Sequence, residues 1–271
     1  MTPEVKAVED LNLDRYSKAE WHAIRRLALT LAYGMLSSGA ETYRIEETAQ
    51  RILEAYGAVQ VDVFAIANFL SISFETPSGR EYYAQKRVHT RADNLNHVAR
   101  LNSYTRQICA TTPDANQALL EVREILNERR AEGLLAQVLI TGYVGFGFAL
   151  MLGAGIKGAI FAFFVDMILR LIIFPLQKWQ ANRLFINMIG GFIVTLLAGT
   201  APYFGLGDSR SIITAASFMY LFPGISLMNS IRDIISNDLV AGLSKLLETL
   251  LAALSIAIGS GLVLGLEHLL A

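Results

Sequence analysis

A chain of 271 residues that is 53% hydrophobic and 17% charged, with a mean hydropathy of +0.41, is too apolar for an ordinary soluble protein of this size. Its formal net charge of −1 provides no basic field of the kind that holds nucleic acid. The single cysteine, Cys109, excludes an internal disulfide and is read as a small buried side chain.

The polarity is divided along the chain. Met1 to Glu132 carries 16 of the 23 Lys+Arg and 18 of the 24 Asp+Glu, so a polar part, 1–132, is expected to precede an apolar part, 133–271. The first ten residues, Met-Thr-Pro-Glu-Val-Lys-Ala-Val-Glu-Asp, lack the apolar run of a signal peptide, which places the first domain in the cytoplasm.

In the polar part, Trp21, Ile24, Ala28, Leu31 and Met35 recur at helical spacing, and Ser37-Ser38-Gly39 supplies a stop. A second helix is predicted over Glu41–Tyr56, halted by Gly57 and carrying an i,i+4 pair, Glu47 and Arg51. Val59, Val61 and Val63, then Leu70, Ile72 and Phe74, alternate with polar residues as half-buried strands do. Thr76-Pro-Ser-Gly79 turns the chain into a third strand near Glu81–Val88. Two more helices follow, about Asn94–Ile108 and Pro113–Asn127. The expected order is helix-helix, three strands, helix-helix: a cytosolic α/β domain.

No catalytic signature emerges there. His22, His89 and His97 are not at metal-ligand spacings, and neither a phosphate-binding glycine loop nor a Gly-x-Ser-x-Gly elbow is present. No cofactor or metal is called for. Glu41, Arg44 and Glu46 form the densest polar run; by spacing alone they fit either a site or the solvated start of a capped helix.

In the apolar part, five segments approach the roughly 20 residues needed to span a bilayer: about Leu134–Leu152, Gly158–Leu176, Leu184–Phe204, Ser211–Met228 and Leu246–Leu266. The expected fold is therefore an α-helical polytopic membrane protein with an N-terminal α/β domain. Arg129, Arg130, Lys178, Arg183, Arg232 and Lys245 would face the cytoplasm, against Lys157 and Arg210 outside. This bias orients the chain N-in and C-out. Gly142, Gly145 and Gly147, Gly190-Gly191, and the pair Gly261 and Gly265 suit close helix packing, the last pair also a partner subunit.

Two features of these segments point to chemistry. Asp166 and Arg170 lie one turn apart on one face, and ionisable groups inside lipid usually carry a proton or ion unless they only pair with each other. Pro223-Gly224 breaks the fourth segment, and a broken membrane helix survives where it lines a cavity. Such breaks bind anionic groups in secondary transporters, which puts Pro223, Gly224, Asn229, Arg232 and Asp233 at a substrate site, with Asp233 orienting Arg232. A membrane-anchored hydrolase acting through Glu41, Arg44 and Glu46, or a non-transporting assembly or sensor protein, remains open on these residues.

Ser38-Gly-Ala-Glu-Thr-Tyr-Arg-Ile-Glu-Glu47 together with Phe222-Pro-Gly-Ile-Ser-Leu-Met-Asn-Ser-Ile-Arg-Asp-Ile-Ile-Ser-Asn-Asp-Leu-Val-Ala-Gly242 resembles the threonine/serine exporter family. The resemblance runs from about Trp21 onward. It implies export of a small carboxylate-bearing metabolite, threonine/serine or a C4-dicarboxylate such as succinate, across the cell's cytoplasmic membrane. It also implies a split, two-component exporter in which this chain is the larger subunit beside a small membrane partner.

Overall fold

The computed structural model describes residues 14–88, 94–128 and 133–270. His89, Arg129 and Arg130 lie outside the described residues. The chain is mostly helical and divides into two compact units, one of 1–129 with 225–246 and one of 130–224 with 247–271.

The first unit opens with α1 (Lys18–Ser37) and α2 (Thr42–Ala55). Ser17 and Glu20 form a capping box that satisfies the first turn of α1. At its other end Gly39 takes φ +84°, and Ala40 N–H reaches back to the Met35 carbonyl at 3.1 Å. That left-handed position favours glycine, which fixes where α1 stops.

Strands β1 (Val59–Ile66), β2 (Phe69–Glu75) and β3 (Glu81–Arg87) make an antiparallel sheet in the order β1-β2-β3. Helices α3 (Leu95–Thr111) and α4 (Ala115–Asn127) begin at side-chain caps from Asn94 and Asp114. The element order expected from the sequence holds. The core joins Trp21, Leu27, Leu31, Ile52, Leu70 and Phe74 from both helices and the sheet, each at most 2% exposed. The alternation holds in β2 and, from Val61 on, in β1, where Val61 and Val63 pack half-buried against the core and Ala65 is buried, while Val59 at the start is exposed. A register shift between Val59 and Asp62 moves the start of that strand off the pattern.

The second unit contains α5 (Leu134–Met151), α6 (Gly155–Lys178), α7 (Arg183–Ala198), α8 (Arg210–Leu221) and the later part of α10 (Leu239–Leu270). A short helix, α9 (Gly224–Ile235), precedes α10, and all of it after Gly224 belongs to the first unit. Four helical stretches are long and apolar enough to cross a membrane: 134–151, 155–178, 183–204 and 239–270. The interrupted pair α8 and α9 would make a fifth.

One core of this unit is built mainly of small residues, Ala149, Ala159, Ala162, Ala198, Ala201 and Ala216, all buried, and a second of Leu169, Ile173, Ile186, Val194, Leu221 and Ile256. Large side chains such as Tyr143, Met151, Phe164 and Leu171 point outward. This inversion suits helices packed in lipid, where close backbone approach takes the place of hydrophobic burial. A Cβ on Gly142 would strike Phe163 and Met167, and one on Gly190 would strike Leu221. Around Gly147, Gly261 and Gly265 there is open space.

Candidate functional site

The first unit gathers Glu41, Arg44, Asn229, Arg232 and Asp233 around the start of α2. Glu41, the residue before α2, makes no side-chain cap of its own helix. Asp233 of α9 does the capping instead: its Oδ1 accepts from Thr42 N at 3.1 Å and its Oδ2 from the Thr42 hydroxyl at 3.0 Å. A carboxylate there also meets the positive end of the helix dipole. Lys245 of α10 donates to Asp233 Oδ2 at 2.6 Å and to Thr42 Oγ1 at 3.0 Å. Asp233 is 0% exposed and Lys245 5%, so this is a desolvated, fully bonded ion pair.

Above that triad lies a second arrangement. The Glu41 carboxylate, itself buried, receives Arg232 on Oε1 and Arg44 on Oε2, the latter at 3.1 Å. Both guanidinium side chains remain about half exposed, Arg44 at 44% and Arg232 at 49%. One carboxylate is thus shared by two arginines, leaving a positive charge in excess. Asn229 donates to the Gly39 carbonyl at 2.9 Å, fastening α9 to the turn before Glu41.

Glu46, expected beside Glu41 and Arg44, faces another way. It accepts from Ala65 N of β1 at 2.9 Å. Burial pushes its carboxyl up from the usual value of 4.5, and the charges of Asp238, Asp233 and Asp62 add to this against the lowering effect of the Ala65 bond. Asp233 does not orient Arg232, since its oxygens are taken by Thr42 and Lys245. Pro223 is buried and Phe222, the residue before it, is extended (φ −69°, ψ 128°), so α8 ends at Leu221.

In the second unit Asp166 of α6 is 0% exposed and makes no ion pair among the described residues; the polar group that bears on its carboxyl is the Ser217 hydroxyl of α8. Ser217 is equally buried and has no other hydrogen-bond partner among the described residues. A Cβ on Gly145 of α5 would overlap the Asp166 carboxylate, so only glycine leaves room for it. Arg170 is not its partner: Arg170 bonds Gln137, Gln177 at 2.8 Å and the Tyr220 hydroxyl at 3.2 Å. Their shared helix face does not produce an ion pair, because Arg170 extends toward amides that can hold it without a second charge. Farther along, Arg210 donates from a single nitrogen, Nη2, to both carboxylate oxygens of Glu267 at 2.7 and 2.6 Å. Among the described residues no group of three or more His, Cys, Asp and Glu is arranged to hold a metal ion.

Sequence reasoning missed Thr42, Lys245 and Ser217. Thr42 stood inside the quoted motif, and Lys245 was counted only as an orienting charge. Its position 12 residues beyond Asp233 has no helical phase to betray the contact, because the chain turns between α9 and α10.

Four apolar helices of membrane-crossing length and an interrupted pair that would make a fifth are the features of a multi-pass membrane protein. The model of the family described as "Putative threonine/serine exporter" matches residues 26–267; the chain belongs to the threonine/serine exporter family. It is 26% identical to the "Threonine/serine exporter" of Corynebacterium glutamicum over 95% of this chain and 54% of that one. To the "Probable succinate transporter subunit YjjP" of Klebsiella aerogenes it is 25% identical, over 89% of this chain and 93% of the relative. The chain spans about half the length of the threonine/serine exporters it matches. No solved structure matches it significantly.

Proposed function

We propose that the protein is the larger subunit of a two-component secondary exporter that moves a small carboxylate-bearing metabolite, an amino acid or a C4-dicarboxylate, out across the cytoplasmic membrane. The residues of 1–132 form its cytosolic domain, and five spans, one broken at Pro223-Gly224, carry the chain from an N-terminus inside to a C-terminus outside. A small membrane subunit completes it, with Gly261 and Gly265 on the face that receives the partner.

The observation that carries this reading is Glu41 held between Arg232 and Arg44. Two half-exposed guanidinium groups already arranged on one carboxylate can hold another, and a planar fork is the geometry that carboxylates fit. Glu41 occupies the pair when substrate is absent and yields it when substrate arrives. Asn229 fixes the local backbone, and the Asp233–Lys245–Thr42 triad keeps α9 in place beneath the arginines. Asp166 carries the coupling proton, Ser217 is its polar neighbour, and Arg170 tethers α6 to α5 and α8 through Gln137 and Tyr220. With no nucleotide-binding loop in the sequence, an ion gradient drives export.

Concentration-dependent uptake into inside-out vesicles holding both subunits tests this. Arg232→Lys keeps the charge but loses the fork, so its apparent affinity should fall, while Glu41→Gln, by vacating the pair, should raise affinity for substrate. Wild-type affinity in Arg232→Lys, or weaker affinity in Glu41→Gln, would remove these residues from the substrate site.

A further inference from the structure

The second unit holds a cation that has so far served only as a tether. Arg170 sits in α6, which runs on to Lys178, so it lies about 12 Å from that helix end at about 1.5 Å per residue. Its Nη1 donates to the Gln177 side-chain oxygen at 2.8 Å and to the Tyr220 hydroxyl at 3.2 Å, and its Nη2 donates to the Gln137 side-chain oxygen. Its Cζ lies over the Phe174 ring, 5.8 Å from the centroid. Gln137 stands near the start of α5, and Tyr220 is next to the last residue of α8, just before the break at Pro223. Three helices thus bring these groups to the end of the unit where α8 stops.

The contacts fix the side chain without neutralising it. Among the described residues Arg170 forms no ion pair, and the carboxyl of Asp166, one turn earlier, is met by Ser217 and not by Arg170. In apolar surroundings an uncancelled charge draws a counter-charge, and neutral acceptors do not supply one. They do decide what remains on offer. Arginine has no acceptor atom, so the amide oxygens of Gln137 and Gln177 must face it. The guanidinium keeps a donor on Nε and another on Nη2, and among the described residues the Tyr220 hydroxyl and the Gln177 amide donate to no acceptor. Each of these remaining groups is a donor, beside an unbalanced positive charge.

We propose that this cluster is a carboxylate-binding site inside the apolar unit, with Arg170 taking the carboxylate of the metabolite in transit and Tyr220 and Gln177 donating beside it. This rests on the exporter reading, which supplies the cargo; in the orientation given there, this end of the unit faces the cytoplasm, where the metabolite enters. A carboxylate brings the missing charge and accepts at both oxygens, which suits the donors that Arg170 has left. An amide at 137 holds the arginine and leaves its charge available, as a resident carboxylate there would not.

Calorimetric titration of the full chain in detergent tests this with threonine, succinate and inorganic phosphate as probes, in an Arg232→Ala background that removes the fork of the first unit. Threonine or succinate should bind saturably, and Arg170→Lys should weaken that binding by at least about tenfold, the worth of one hydrogen bond to a charged group. Gln137→Glu sets a permanent carboxylate against Arg170, so it should abolish binding and raise Tm; were Arg170 a tether alone, the same change would strengthen the tether and leave binding as it was. Gln177→Glu should act in the same direction through Nη1. No saturable binding by either carboxylate, phosphate bound more tightly than both, binding unmoved by Gln137→Glu, or a fall of Tm in that variant would each overturn the site. Carboxylate binding that Gln137→Glu abolishes, in a chain that moves neither labelled threonine nor labelled succinate in vesicles, would keep the site and strike the exporter reading instead.

Discussion

Replacing Lys245 with methionine removes one charge from a buried pair and leaves the other. Asp233, at 0% exposure, would keep its two bonds from Thr42 but lose the 2.6 Å ammonium contact. Breaking a buried pair from one side costs about 3–5 kcal/mol. The surviving Thr42 bonds favour the lower end, so we expect about 3 kcal/mol, or a fall of roughly 6–12 °C in Tm at about 2–4 °C per kcal/mol. Asp233→Asn alone should cost a similar amount, because it strands Lys245. The double variant, Asp233→Asn with Lys245→Met, should recover much of the loss, since no unpaired charge remains. Thermal unfolding of the purified chain, followed by loss of the monodisperse peak after heating, measures all four corners of the cycle. Single-variant shifts within about 1 kcal/mol, the range of solvent-exposed pairs, would show that Asp233 and Lys245 are not the desolvated pair described above.

Asp166→Asn should abolish the response of transport to an imposed pH gradient while leaving Tm unchanged or higher, because a buried carboxylate without an ion-pair partner is exchanged for a neutral amide; an unaltered response in vesicles would dismiss Asp166 as the proton carrier. Glu46→Gln tests the raised carboxyl next to β1. A glutamate pushed up from 4.5 in the folded state contributes its stability below that value and loses it as pH rises through the folded-state value. Glutamine keeps an acceptor for Ala65 N, so the variant should be more stable than the native chain at neutral pH, with the advantage gone below about pH 4. Equal Tm differences at both pH values would contradict the shift.

The sequence made some of this legible and hid the rest for physical reasons. Helix and strand periods carried the first unit, because Trp21, Leu31, Leu70 and Phe74 are placed by local repetition that burial rewards. The break at Pro223 was legible because a missing N–H and the restricted residue before it act within one or two positions. What stayed hidden was non-local. Glu41 and Arg232 are 191 residues apart, and nothing in the spacing of either motif says that Asp233 caps α2. The return of 225–246 to the first unit was hidden too, since the apolar run continues from α8 into α9 across Pro223-Gly224. The shared helix face of Asp166 and Arg170 leaves a mutual pair open as one reading, yet the length of Arg170 lets it reach Gln137, Gln177 and Tyr220.

Gly191 and Gly259 bear on how the second unit can move. A Cβ on Gly191 would enter the Ile256 carbonyl of α10, and one on Gly259 would enter the Met188 carbonyl of α7. The two helices therefore touch backbone to backbone, each through the other's missing side chain, and Thr195 and Ser260 close the seam with a 2.8 Å bond between hydroxyls. Side-chain packing can slide by rotamer changes; bare backbone contact has no rotamers with which to slide. We expect this pair to stay fixed, so that under the proposed proton role any motion that opens a path to Asp166 would fall to α5, α6 and α8. A disulfide between Thr195→Cys and Ser260→Cys should leave transport running, whereas arrest by that bond would show that the seam itself must open.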